Sequence, residues 1–367
     1  MDFPGLIESF GETQILASGG LVIGALFGFF AQRSKFCLRA ATLEFWHRQF
    51  GEKIAVWLLT FSAAMVGVQA LILTHHMDTA AARQISATGS LSGALVGGLL
   101  FGAGMILTRG CASRLLVLSA NGNLRALLSG LIFAVTAQAS LAGALSPWRE
   151  TISGWWTVEG GSGRDLLALT GAGTWGGLLF GLAWLFTALF FAVRSGWGFW
   201  KWIGGMGAGL MVAAGWGFSY LVSTNSFQVV QVQSLTFSGP SAEWLMRVLS
   251  LPAPEIGFGF GLVPGVFLGS FAGAWVGKDF KLEGFSDGYG MRRYIVGAIL
   301  MGFGSMLAGG CAVGAGITGG SIFATTAWLS LVGMWLGAGL TDRLIDMPAN
   351  VSSAAASTSA TATNKAP

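Results

Sequence analysis

Nine mostly apolar stretches, near 16–31, 54–73, 91–108, 126–146, 166–193, 202–222, 257–277, 294–308 and 322–341, divide this chain. A helix rises about 1.5 Å per residue, so about 20 apolar residues cross a hydrocarbon layer about 30 Å thick. Only helices and closed barrels satisfy their own backbone hydrogen bonds in lipid, and stretches of this length are helical in scale. The sequence therefore predicts an all-α polytopic membrane protein of about nine transmembrane helices. Composition agrees, because with 53% hydrophobic and 10% charged residues no soluble core could hide the apolar surface.

The charges orient these helices. Segments 32–53, 109–125, 194–201 and 278–293 hold Arg33, Lys35, Arg39, Arg48, Lys53, Arg109, Arg114, Arg125, Arg194, Lys201, Lys278, Lys281, Arg292 and Arg293, whereas the alternate segments hold only Arg83, Arg149, Arg164 and Arg247. Positive loops stay inside, so the first set is expected to be cytoplasmic, the N-terminus outside and the C-terminus inside. Asp2, Glu8 and Glu12 occupy the place of a cationic signal region, so the N-terminus is expected to be retained. The outer loops at 155–165 and 223–249 carry tryptophans suited to the membrane interface and are expected to cover a vestibule. Residues 349–367 form a low-complexity polar tail expected to be disordered, which leaves residues 1–348 as a single transmembrane domain. Lipid is the expected surroundings, and nucleic acid is not a plausible partner.

Two parts of the chain recur. Gly97–Ser113, GGLLFGAGMILTRGCAS, matches Gly297–Val313, GAILMGFGSMLAGGCAV, with Gly97, Gly104, Gly110, Cys111 and Ala112 falling on Gly297, Gly304, Gly310, Cys311 and Ala312. The segment IGALFGFFAQRSKFCLR resembles LGSFAGAWVGKDFKLEG: Gly24 and Gly28 match Gly269 and Gly273, and a one-residue slip puts Lys281 in the place of Cys37. An internal pseudo-symmetric repeat follows, with halves of about 17–193 and 200–342. On the topology above the two Gly-Cys-Ala runs enter from opposite faces while the first and seventh spans run parallel, and short re-entrant helices reconcile the two.

The repeated step has a chemical reading. In Arg109-Gly110-Cys111 and Gly309-Gly310-Cys311 the glycines end one helix and let another restart at the cysteine. Broken backbone at membrane depth is tolerated where it is buried or lines a polar cavity, and a half-helix N-terminus there favours an anion. A neutral thiol adds a weak donor and a polarisable sulfur, suited to a soft partner. A lone buried cysteine in a glycine-rich helix is usually a packing residue, but duplication of its whole context weighs towards function. Arg109 and Arg114 flank Cys111 either as anion guides or as inner-leaflet anchors. The three cysteines, spaced 74 and 200 apart, give no CxxC pair and are read as free thiols. His47, His75 and His76 stand at no metal-ligand spacing to them. With no catalytic triad, P-loop or dinucleotide motif, the chain is expected to be no enzyme and to need no cofactor or metal.

The segments FGFFAQRSKFCLRAA, FGAGMILTRGCASR and MGFGSMLAGGCAVG resemble, in order, the three cysteine motifs of the YeeE/YedE family of bacterial membrane proteins, over about residues 17–342. The resemblance implies an inner-membrane transporter that takes up thiosulfate or a related sulfur-containing anion, built as an hourglass of long and short inward-dipping helices. It also implies that Cys37, Cys111 and Cys311 are relay thiols along a narrow path, with short re-entrant helices after Cys111 and Cys311 and a cytoplasmic sulfurtransferase as a possible receiver. Cys37, in a more basic and peripheral segment, is expected to matter less. The competing readings are a membrane sulfurtransferase or thiol redox enzyme carrying a cysteine persulfide, and a scaffold in which the cysteines only pack.

Overall fold

A computed structural model describes residues 5, 9–194, 196–226, 228–249, 256–284 and 288–346. The principal helices are α1 Glu12–Ser34, α2 Leu38–Trp46, α3 Glu52–Leu73, α4 Leu91–Leu107, α5 Ala112–Ala120 and α6 Leu124–Ala142. After them come α7 Ser146–Gly154, α8 Gly173–Arg194, α9 Phe199–Asn225, α10 Ser238–Leu249, α11 Phe258–Gly277, α12 Gly288–Leu307, a π-helix at Ala312–Gly319, and α13 Thr325–Thr341. Eight helical segments among the described residues are long and apolar enough to cross a membrane. The ninth expected stretch forms α13, whose 17 residues reach about 25 Å. The stretch expected to span from 166 divides instead: a short helix Leu166–Thr170 ends at Gly171 and Gly173, both at positive φ, and α8 starts afresh. The tail at 349–367 lies outside the described residues.

Glycine decides how these helices meet, since without side chains at a contact two backbones approach to touching distance. In α1, a methyl group at Gly20, Gly24 or Gly28 would strike the carbonyls of Phe258, Leu262 and Val266; in α11, one at Gly261, Gly265 or Gly269 would strike those of Ala17, Leu21 and Ala25. Both sets rise together along the two helices, so α1 and α11 run parallel. The contact between α4 and α12 is the reverse. A methyl at Gly97 would lie 2.6 Å from the Gly304 carbonyl oxygen and one at Gly304 2.7 Å from that of Gly97, while Gly104 and Gly297 face each other's carbonyls at 2.5 and 2.8 Å. The repeated glycines therefore meet crosswise, each against the far member of the other copy, and the two helices run antiparallel. On its other side α4 runs parallel to α13, through Gly98 and Gly102 against the carbonyls of Ser330 and Met334 and through Gly333 and Gly337 against those of Leu95 and Leu99. Around this centre α3 packs on α8 and α9, α9 also on α1, and α6 on α12.

The outer connections are ordered elements. Gly89–Ser90 pairs antiparallel with Thr157–Val158, and the expected loop at 223–249 folds partly into α10. Pro264, inside α11, cannot donate to the Phe260 carbonyl one turn back. The Trp244 indole of α10 donates to that oxygen instead, at 2.8 Å, and its ring stacks on the Phe260 ring with centroids 4.1 Å apart.

Candidate functional site

All three cysteines occupy the same local position. Cys37, Cys111 and Cys311 have extended backbone and immediately precede α2, α5 and the π-helix. Two residues before each, the preceding helix ends in a left-handed residue: Lys35, Arg109 and Gly309, with φ of 55°, 57° and 77°. The closing bonds are alike, for Phe36 N–H donates to Ala31, Gly110 N–H to Met105 and Gly310 N–H to Ser305. Gly110 before Cys111 and the Gly309-Gly310 pair before Cys311 announce this break. At Cys37 a lysine adopts the left-handed conformation, so no glycine signals it. Lys278 closes α11 in the same way, with φ 55° and Asp279 N–H donating to Ala274. Counted from these lysines, the position of Cys37 falls on Phe280 without the one-residue slip that placed it on Lys281. No helix begins within residues 281–284; the Lys281 and Glu283 amides donate instead to the Asn121 and Gly122 carbonyls beyond the end of α5.

The structure brings two of the thiols together. Cys37 and Cys111, far apart in sequence, lie close enough for their thiols to interact. The Ala40 amide lies near the first sulfur and the Arg114 amide near the second, though neither thiol completes a cap hydrogen bond. The Ser113 hydroxyl is 3.4 Å from the Cys111 sulfur. Cys111 and Cys311 are fully buried, whereas Cys37 is partly open. Arg114 reaches Gln32 at 3.4 Å and is, with Arg39, a positive charge acting on Cys37. Arg109 points its backbone into the turn and is exposed at the end of α4. Of the two flanking arginines, only Arg114 therefore stands beside the thiol pair. α2 is pinned to α13 at its far end, where His47 Nε2 lies 2.6 Å from Asp342 Oδ2 and the Trp46 indole donates to the Trp335 carbonyl at 2.9 Å.

Cys311 stands apart. Its sulfur makes no hydrogen bond among the described residues, although the π-helix that it begins touches α5. A π-helix is rare because its wide turn leaves poor packing, and such segments recur at functional sites. Here side chains hold it: the Gln84 amide donates to the Gly314 carbonyl at 3.3 Å, the Trp216 indole to that of Thr318 at 3.3 Å, and the Thr318 hydroxyl to that of Leu235 at 2.6 Å. Gly310 is sterically required, since a methyl group there would lie 2.6 Å from the Ala315 nitrogen. Gly110 is not, its nearest neighbour being a Leu115 methyl at 3.4 Å. The buried Thr108 hydroxyl, unremarked in the sequence, lies 2.9 and 2.8 Å from the Gly104 and Gly110 carbonyls and stitches the turn before Cys111.

A cavity of about 740 Å³ opens at one end of the molecule, walled by the first turns of α1 and α11, by residues 83–90 and 228–240, and by Ser305–Gly309 at the end of α12. It stops two residues short of Cys311. Cys37 follows the other end of α1, and α5 ends against residues beyond the far end of α11. One thiol thus lies just beyond the cavity wall, two residues after Gly309, and the Cys37–Cys111 pair lies towards the opposite face.

These features fit the profile of a family described as Sulphur transport, which matches residues 33–340. The chain belongs to that family. Within it, this Sulphur transport protein is 25% identical over 339 residues to the thiosulfate transporter TsuA of Escherichia coli (strain K12), covering 87% of this chain and 91% of that one. It is 26% identical over 342 residues to the thiosulfate transporter TsuA of Spirochaeta thermophila, covering 87% and 96%. The YeeE/YedE resemblance read from the three cysteine segments is the same relationship. The protein is a multi-pass membrane protein of sulfur-compound transport, and its relatives are named transporters, not enzymes.

Proposed function

We propose that the protein takes up thiosulfate, or a closely related sulfur anion, across the bacterial inner membrane along a path lined by Cys311, Cys111 and Cys37. The observation that carries this reading is the shared placement of the three thiols, each at the start of a helix, one just beyond the cavity wall and two close enough to interact towards the opposite face. The names of the two relatives supply the substrate class.

The chemistry suits an anion with two unlike ends. Helix N-terminal amides and Arg114 match sulfonate oxygens, and a thiol S–H can donate to the soft terminal sulfur. Contacts of this kind contribute about 1 kcal/mol or less each, which lets an ion pass from site to site instead of being trapped. Sulfate has no soft end, so discrimination lies at the thiols. The cavity faces outward on this reading, which agrees with the sparse positive charge of its side and with the basic segments collected at the other. The left-handed Arg109 and Gly309 turn the chain before the central thiols, Gly310 leaves room for the π-helix that follows, and Arg109 also anchors the inner leaflet.

Replacement of Cys111 or Cys311 by Ala is expected to lower thiosulfate uptake into proteoliposomes by about tenfold or more, the loss of one selective contact and its alignment together, with the protein still inserted. Cys37→Ala is expected to retain part of the activity. Near-normal uptake in both central variants would remove the thiols from the path.

A further inference from the structure

The cavity carries a feature that the thiol path does not use. Arg164 lies in its wall, 6% exposed, and belongs to the outer connection between α7 and α8. Its Nη1 donates to the Ala87 carbonyl at 2.5 Å and its Nη2 to the Thr326 hydroxyl at 2.7 Å, both neutral acceptors. Its Nε is buried without a partner. Arg83 is close enough to act on it electrostatically and is exposed to the cavity. Among the described residues no carboxylate pairs with either guanidinium. Arg149, also on the wall, is answered by Glu150 at 3.2 Å. Glu12 and Glu243 face the same cavity from α1 and α10 but bond to neither Arg83 nor Arg164.

A guanidinium withdrawn from water on neutral acceptors is costly unless an anion completes it. Two of them side by side repel. Burial and the charge of Arg83 accordingly pull the Arg164 guanidinium below its ordinary value, while burial pushes the Glu243 carboxyl up, weakening it as a counter-charge. The location is also directed. Gln84, next to Arg83, donates to the π-helix that begins at Cys311, and Thr326 opens the helix that follows it.

We infer that Arg83 and Arg164 form an oxyanion-binding station on the cavity wall, ahead of Cys311, that receives the oxygen-bearing end of the substrate. Arginine presents a fork of N–H donors matched to tetrahedral oxyanions, and a cationic cavity of this kind raises the local concentration of anions. Such a station does not read the soft sulfur. Sulfate therefore occupies it as well as thiosulfate does and blocks the mouth without passing the thiols, so that selection follows capture. The inference deepens the transport reading above, yet binding of sulfate tests it without any transport.

Arg83→Gln is the informative variant, because the Arg83 side chain makes no hydrogen bond or ion pair among the described residues and is exposed to the cavity. In proteoliposomes the thiosulfate concentration for half-maximal uptake is expected to rise about fivefold with little change in maximal rate, the pattern of a lost capturing charge, and sulfate is expected to inhibit the wild type competitively but the variant weakly. In detergent, sulfate is expected to raise the melting temperature of the wild type more than that of Arg83→Gln or Arg164→Gln, compared at equal ionic strength; Arg164→Gln is read only if its melting temperature without sulfate shows a folded protein. Equal sulfate protection in the wild type and Arg83→Gln overturns the station, whatever uptake shows. Sulfate protection that depends on Arg83, in a protein that takes up no thiosulfate, upholds the station and refutes the transport reading.

Discussion

Two glycines that look identical in the sequence have different jobs. Neither Gly110 nor Gly310 has positive φ, so an alanine can adopt either backbone. At Gly310 the added methyl would press on the Ala315 nitrogen at 2.6 Å and the Gly314 carbonyl carbon at 3.0 Å, within the first turn of the π-helix. Gly310→Ala is expected to cost about 1–3 kcal/mol of stability through overpacking and to lower uptake, while Gly110→Ala, in ordinary contact with Leu115, is expected to keep both; thermal unfolding and uptake of the paired variants check this. The duplicated Gly-Cys-Ala step made the breaks at Cys111 and Cys311 legible. The break at Cys37 was not legible as such, because no glycine stands beside it: Lys35, like Arg109, takes a conformation that sequence assigns to glycine or asparagine. The meeting of Cys37 with Cys111 is a non-local fact that no spacing encodes. Arg164 was equally invisible, since a single arginine in an outer loop reads as solvated until its burial is known.

At the level of the helices, the pattern of apolar stretches located nearly every element, and the misses have physical reasons. The stretch from 166 was broken by glycines in the left-handed region, and the loop from 223 contained an amphipathic α10 whose role is to complete α11. That role is testable. Trp244→Phe keeps the ring on Phe260 but removes the indole donor to the carbonyl that Pro264 orphans, an expected loss of about 1–3 kcal/mol for an acceptor left unsatisfied. Adding Pro264→Ala restores a backbone N–H to the same oxygen, so the double variant is expected to recover much of the loss. Additive melting-temperature changes in the cycle would show that the indole and the proline act separately.

For the molecule as a whole, the sequence assigned its sidedness from charge alone, and the geometry adds that α1 starts at the cavity while α13 ends at the opposite face. With the cavity outward, a protease added to intact spheroplasts is expected to remove an N-terminal tag and to spare a C-terminal one; the opposite result turns the cavity inward. The antiparallel contact at the centre bears on how an ion could cross. Gly97, Gly104, Gly297 and Gly304 set the backbones of α4 and α12 in one another's path. A slip of one turn, about 5.4 Å, would drive bulky neighbours such as Phe101 or Met301 into a backbone that has room for hydrogen alone. The two helices from which the central thiols hang are therefore clasped in a single register. A carrier that rocks one half against the other would have to tear this clasp open at every turnover. On the proposed path, passage through such a frame would fall to the side chains, and its clock would be the rotation of thiols and the exchange of water, far faster than the swing of domains.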